Sequence, residues 1–446
     1  MTVTPDTIAY LVIQHFDGLP PKRKPLVRDN GVHEWVPLSG IVAQGKDDKL
    51  TCLSLATGMK CLPHAKLPQA RGNVLHDWHA EVLAIRSFNR FVLDEVRALS
   101  SGAVSSSPFL RRRRESELLA TRPTGHGVEE GGQGLEAQGK GEQRQLWHAQ
   151  PFAWREDVKL HMYCSEAPCG DASMELTMAA QEDASPWEVP ESVVTAATAD
   201  ASQAFQTLPG RSYFSHLGLV RRKPARGDAP ATLSKSCSDK LSLKQCTSLL
   251  SSLTSLFVCP SNAYIHSLIL PASQYSATGC SRAFSSQGRM SPLAGAHRRE
   301  SGGGYRFAEF AVRTTDQEFH WSKRSVGNRA GVGKGGANMA ASNLAVAWTG
   351  HGLVETTLGG TLQGRKAFDA KGASFASKRK MWTLAIEAAG LLGSGMVQVQ
   401  KALAASSYQE VKDSGLLEAR RRVKDDAKAH ALKGWVKNQG DDDFGL

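Results

Sequence analysis

The first residues set a helical rhythm. Thr4 is placed to cap a helix with Pro5 in its first turn, and Ile8, Leu11, Val12 and Phe16 recur at helical spacing. His33 to Gln44 and Leu50 to Ala56 are β-rich and bounded by turns, and the turn-like Thr57-Gly58-Met59-Lys60-Cys61 follows. From His79 the chain places Val82, Ile85, Phe88, Val92 and Val96 close to one helical stripe, which predicts a long helix ending near Leu99. Val158 to Cys164 reads as a strand running into Ala167-Pro168-Cys169-Gly170-Asp171 and a helix. Helices are also expected from Ser377 to Gly390 and from about Gln409 to Lys433, the second strongly charged. Strands and helices intermix, which predicts an α/β fold. Periodicity vanishes over 100–148, expected to be a disordered insertion; 183–210 and 284–304 are expected to be loop insertions.

Composition narrows the class. Of 446 residues, 41% are hydrophobic, enough for a sizeable core, so wholesale disorder is excluded. Lys and Arg number 54 against 43 Asp and Glu, a formal charge of +11 that suits a polyanionic partner. No apolar run reaches eighteen residues and the N-terminus lacks a signal-like core, so neither a membrane span nor secretion is expected. The eight cysteines are too sparse for a disulfide framework, which points to a reducing, intracellular compartment, nucleus or cytoplasm. Arg111 to Arg114, inside the first insertion, reads as a solvated charge run.

Candidate chemistry lies in two helix starts. His79-Ala80-Glu81 opens the long helix, and Pro168-Cys169-Gly170-Asp171 opens another after a strand. Zinc deaminases use one His and two Cys to activate a water, with a Glu two residues beyond the His that moves protons without binding metal. His79 and Cys169 fit as ligands and Glu81 as the proton carrier. The usual second Cys three residues after the first is replaced by Ala172, so the third ligand comes from elsewhere. Cys237, in the polar Ser236-Cys237-Ser238-Asp239-Lys240, is the best candidate.

HAE at 79–81, PCGDAS at 168–173 and SCSDKL at 236–241 resemble the adenosine-deaminase domain of the eukaryotic RNA-editing family, and in the same order. EWVPLSGIVA, LATGMKC, SNLAVAW and KGASFASKRK extend the resemblance over residues 1–446 except the inserts. It implies one cytidine-deaminase-like domain, a mixed sheet flanked by helices with extra helices at the C-terminus. No double-stranded-RNA-binding module fits ahead of the motifs, which favours the tRNA branch and, as substrate, the anticodon arm of alanine tRNA at adenosine-37. No obligatory protein partner is evident. An editor of messenger or double-stranded RNA, or a catalytically silent RNA-binding subunit, are the alternatives.

The resemblance further implies a zinc ion on His79, Cys169 and Cys237, a target base turned out of its stack, and an RNA-contacting, base-flipping loop containing Arg222, Lys223, Arg226 and Asp228, with Lys60 nearby. Asp228 reads equally well as a turn former. The resemblance also implies inositol hexakisphosphate as a buried structural cofactor on Arg86, Lys240, Lys378, Tyr408, Lys412 and Trp435, with Asp77 relaying between that site and the zinc. Arg420 to Arg422 read either as part of that site or as an exposed helix face. The chain departs from the editors in having His76, Ile85 and Lys437-Asn438 where they show Asn, Arg and Glu-Lys.

Overall fold

The computed structural model describes residues 2–119, 147–180, 208–209, 216–223, 229–295, 303–330 and 338–446. Helix α1, Pro5–Asp17, starts as its sequence predicts: the Thr4 hydroxyl accepts the Thr7 amide and Pro5 needs no partner in the first turn. Strands β1, Leu38–Gln44, and β2, Leu50–Thr57, form an antiparallel hairpin. Helix α2, Ala80–Ser101, follows, then β3, Lys159–Cys164. A 3-10 turn, Asp171–Ser173, and a short helix, Met174–Ala179, succeed β3. Helix α3, Cys237–Thr247, precedes β4, Ile265–Pro271, and β5, Ala311–Thr315. Strands β6, Leu344–Thr349, β7, Val354–Leu358, and β8, Thr361–Leu362, lead to helices α4, Lys378–Leu391, α5, Tyr408–Asp413, and α6, Glu418–His430.

One mixed sheet holds eight of these strands in the order β5-β4-β3-β1-β2-β6-β7-β8. Pairing is parallel among β3, β4 and β5 and antiparallel from β3 through to β8. The strand alternation sends Ile41 and Ala43 to the face covered by α2, and Val42 to the face covered by α1. On the α1 side Ile8, Val12 and Phe16 bury against Leu55, Tyr163 and Ile269. On the other, Phe88, Val92 and Val96 of α2 join Trp382 of α4 and Leu253, Leu256 and Phe257. Each large side chain so buried contributes about 1.5–3 kcal/mol, and this two-sided packing fixes where α2 begins. Among the described residues, no helix is long and apolar enough to cross a membrane.

The structure departs from the sequence expectations in three places. Within 100–148, Leu110–Arg112 is a strand, antiparallel to Phe152–Trp154, and Glu115–Leu119 is a helix; 120–146 lie outside the described residues. Leu110 anchors this segment in the main core, and Arg111 bonds Glu117 and Glu156 rather than standing in solvent. Within 284–304, Met290 and Leu293 pack with Ala419 and Val423 of α6, so residues up to 295 are part of the body. The helix expected over 409–433 is broken between α5 and α6: Ser414 takes an extended conformation and its hydroxyl accepts the Leu416 amide, starting a new turn. The loop expected over 183–210 lies outside the described residues apart from 208–209.

Candidate metal centre and its buried charges

Three side chains distant in sequence meet in front of two helix starts. One ligand atom each from His79, Cys169 and Cys237 lies within 4.8 Å of the other two. His79 immediately precedes α2, and its amide donates to the Asp77 carboxylate at 2.9 Å. The Ala80 amide donates to the Gly58 carbonyl at 2.8 Å. That approach requires glycine: at Gly58, φ is +132°, and a Cβ would stand 2.3 Å from the Trp78 carbonyl. Cys237 opens α3, whose cap is the Ser236 hydroxyl accepting the Asp239 amide. Cys169 arrives from the end of β3, and its sulfur accepts the Cys237 amide at 3.3 Å. Gly170 lets the two segments touch, because a Cβ there would stand 2.2 Å from Ser236 Oγ.

The donor set suits a thiophilic cation. Sulfur Sγ of Cys169 lies 3.9 Å from His79 Nδ1. The Cys169 thiol is pulled well below its ordinary range, first by its hydrogen bond with Cys237 and then, against burial, by the charges of Lys223 and His79. Two soft sulfurs and one imidazole are the ligand types that select zinc-like ions, and three protein ligands leave a fourth position for water. A second grouping, Cys61, Asp77 and His79, is also compact, but the Asp77 oxygens are already committed to other partners.

Glu81 stands in the first turn of α2, buried, two residues past His79. Burial first, and the negative charge of Cys169 second, raise its affinity for a proton. A carboxyl that holds a proton readily beside a candidate metal is suited to general acid–base work.

Behind the three ligands lies a buried ion network. Asp77 Oδ2 accepts from Lys223 at 2.8 Å, from Ser234 Oγ at 2.5 Å, and from Lys240. Burial alone would lift the Asp77 pKa; the ammonium groups of Lys223 and Lys240 outweigh it and hold the carboxyl well below its usual range. Lys223 also donates to Cys237 Sγ at 3.2 Å. Lys223, expected among the RNA contacts, is instead 5% exposed and turned inward onto the Asp77 carboxylate and the Cys237 sulfur. Arg221 is likewise fully buried, its amide on Asp239. Arg222 is half-buried and Lys60 is exposed with its ammonium on Asn343, whereas Arg226 and Asp228 lie outside the described residues.

The six residues expected to hold a polyphosphate fall in one region, at the far side of Asp77. Arg86 donates to the Ala376 carbonyl at 3.0 Å. Lys378 and Lys412 both reach Asp442 at 2.5 Å and both stand over the Tyr408 ring. Trp435 lies under Lys235, 5.7 Å from its ammonium. The sequence departures are absorbed locally: His76 pairs with Asp441 at 2.5 Å, and Asn438 accepts Lys235 at 2.7 Å.

The sequence reading missed Lys235, Lys244 and Lys424, which crowd the same region. Lys244 is pushed well below its ordinary pKa by burial and by Arg420, Lys424 and Arg86. Lys424 falls to about 8 through desolvation and the charges of Lys428, Arg420 and Lys412. Lys235 falls to about 7 through desolvation and the charges of Lys240, Arg222 and Lys424. Arg86, Lys244 and Arg420 bond carbonyl oxygens and one hydroxyl, with no carboxylate hydrogen-bonded to them among the described residues. Arg420, one of two readings of the 420–422 run, therefore faces inward. So many enclosed cations fit a polyanion, which would repay their desolvation.

The chain is similar to known proteins over most of its length. The adenosine-deaminase (editase) domain family matches residues 54–124 and 140–439. The tRNA-specific adenosine deaminase 1 of Schizosaccharomyces pombe is 35% identical over 318 residues, 71% of this chain and 69% of that protein. Its namesake in Saccharomyces cerevisiae is 31% identical over 279 residues, 60% of this chain and 58% of that protein. The human protein of the same name is 29% identical over 185 residues, 29% of its length.

Replacing Asp77 separates the two possible metal groups. Asp77→Asn leaves Lys223 and Lys240 facing each other and is expected to lower stability by about 3–5 kcal/mol in urea unfolding, while the folded protein keeps its metal. Loss of metal with unchanged stability would make Asp77 a ligand instead.

Proposed function

The chain belongs to the adenosine-deaminase (editase) domain family, and from that premise we propose that it hydrolyses the C6 amino group of an adenosine in tRNA, leaving inosine and ammonia, with adenosine-37 of alanine tRNA as its target. The family makes it a deaminase. The single observation that carries the mechanism is the buried Glu81 carboxyl beside the meeting point of His79, Cys169 and Cys237. The names of the relatives support tRNA as the substrate, and the +11 charge suits it.

A zinc ion held by His79, Cys169 and Cys237 would supply a water that loses its proton near neutral pH. Glu81 takes that proton, which its raised proton affinity allows, and passes it to N1 of adenine as the C6–O bond forms; it then takes the proton of the new C6 hydroxyl and delivers it to the amino group as the C6–N bond breaks, leaving the C6 carbonyl of inosine and ammonia. The Lys223 ammonium, bonded to Cys237 Sγ, disperses thiolate charge at the third ligand. Lys60 and Arg222, with the loop of Arg226 and Asp228, are assigned to contacts with the RNA backbone and to holding the base out of its stack. Inositol hexakisphosphate is assigned to the cations around Arg86, Lys240, Lys244, Lys378, Lys412 and Lys424, with Tyr408 and Trp435, as a structural group. A tRNA substrate supports an intracellular location, in the nucleus, the cytoplasm or both.

Two experiments test the reading. Wild-type protein and Glu81→Ala are incubated with a panel of tRNA transcripts and RNA duplexes, and A-to-G changes are read after reverse transcription. Conversion only 3′ of the alanine anticodon, lost in Glu81→Ala by at least about 100-fold while metal content is kept, is the expected result. Editing inside duplexes would replace the substrate with double-stranded RNA, and editing nowhere would favour a silent RNA-binding subunit. Separately, acid denaturation of freshly purified protein should release about one inositol hexakisphosphate per chain, and finding none in active protein would remove that assignment.

A further inference from the structure

Beside the candidate metal centre runs a surface strip of which the proposed function uses Lys60 alone. Its near end is Lys60, whose backbone carbonyl accepts the amide of Trp78, next to His79, at 3.1 Å. Its side chain reaches Asn343, and the neighbouring Ser342 amide donates to the Trp35 carbonyl at 2.8 Å. Trp35 sits in a short strand, His33–Trp35, paired with Met339–Ala341. Its half-buried indole has the exposed Lys323 ammonium 6.0 Å from the ring centre. Six residues on from Lys323, the exposed Arg329 guanidinium lies 5.8 Å over Trp321, and the exposed His320 ring meets the same indole edge-on at 5.2 Å.

The strip is fastened to the ligand-bearing segments at both flanks. Lys60 ties it to His79 as described. Arg324, in the helix Lys323–Arg329, donates to the Ser165 carbonyl at 3.1 Å and to Glu166 at 2.8 Å, a few residues before Cys169.

Charge on this face is mainly positive, although the Asp17 carboxylate acts on His320. Glu34 is paired with Arg28, and Glu166 and Glu318 are both paired with Arg324. The exposed Lys323 and Arg329 stand on this face over two indoles, with an imidazole beside them. Flat π surfaces alternating with cations match single-stranded nucleic acid: bases stack on the rings and phosphates meet the ammonium and guanidinium groups. An acidic peptide would use the cations and leave the indole faces idle.

We infer that Trp35, His320, Trp321, Lys323 and Arg329 form a docking strip for unpaired nucleotides flanking the target adenosine of the substrate RNA. The inference rests on the tRNA reading and deepens it. It gives the enzyme a way to hold a splayed anticodon loop beside the metal centre by stacking, without reading base edges.

The test uses the full chain and a fluorescent anticodon stem-loop of alanine tRNA. Lys323→Ala/Arg329→Ala changes exposed side chains and is expected to raise KM roughly tenfold with kcat and melting temperature unchanged, and to flatten the plot of log Kd against log salt by about one to two units. Trp321→Leu is expected to weaken binding roughly tenfold while leaving the salt slope unchanged, since stacking releases no counterion. Variants that bind and edit like an active wild type would overturn the strip and leave the tRNA reading standing. A fall in kcat with KM and salt slope unchanged would also overturn it. Wild type that neither binds nor edits any tRNA would overturn the strip together with the reading beneath it.

Discussion

Asp77 keeps a full negative charge in a place water scarcely reaches, and the functional half of the molecule is arranged around it. Lys223 and Lys240 come to the same carboxylate oxygen, and Ser234 fills in beside them. Removing Asp77 would leave the Lys223 and Lys240 ammonium groups together without a carboxylate. Through Lys223 the network touches the Cys237 sulfur, and through its other carboxylate oxygen it fixes the His79 amide. Two of the three candidate ligands are therefore held by one buried ion. Behind Lys240 the remaining lysines and arginines accumulate, so a polyanion bound there would be felt at the metal centre through two contacts.

Backbone geometry does the rest of the positioning. His79 and Cys237 stand at the starts of α2 and α3, where unpaired amides favour a thiolate or an anion, and Cys169 takes one of those amides. Gly58 and Gly170 are the points where chain segments approach too closely for any side chain. The sheet and the two apolar faces supply rigidity: α2 is packed along most of its length, so Glu81 in its first turn is held at a fixed distance from the ligand before it.

The motifs that meet at the candidate site were legible because each is short and local: HAE, PCGD and SCSD carry the candidate ligands and candidate proton carrier together with the helix start that aims them. The α/β class and the mixed sheet were legible from alternation and helical stripes. Lys223 was misplaced because a lysine in an arginine-rich stretch looks like a phosphate contact, and only Asp77, 146 positions away, reveals that it is buried. Lys244 and Lys424 were missed for the same reason, since neither sits in a motif and their crowding exists only after α3 and α6 pack together. The break at Ser414 was hidden by continuous helical composition on both sides, and the ordered part of the first insertion by its poor periodicity. A strand of three residues gives alternation too little room to show.

X-ray absorption at the zinc edge, on protein purified without added metal, tests the central claim most directly. The account requires about one zinc per chain in a shell of two sulfurs, one imidazole nitrogen and one light atom, and Cys237→Ala should lower the sulfur count or the metal content. A six-coordinate oxygen shell, or active wild type with no metal, would contradict it.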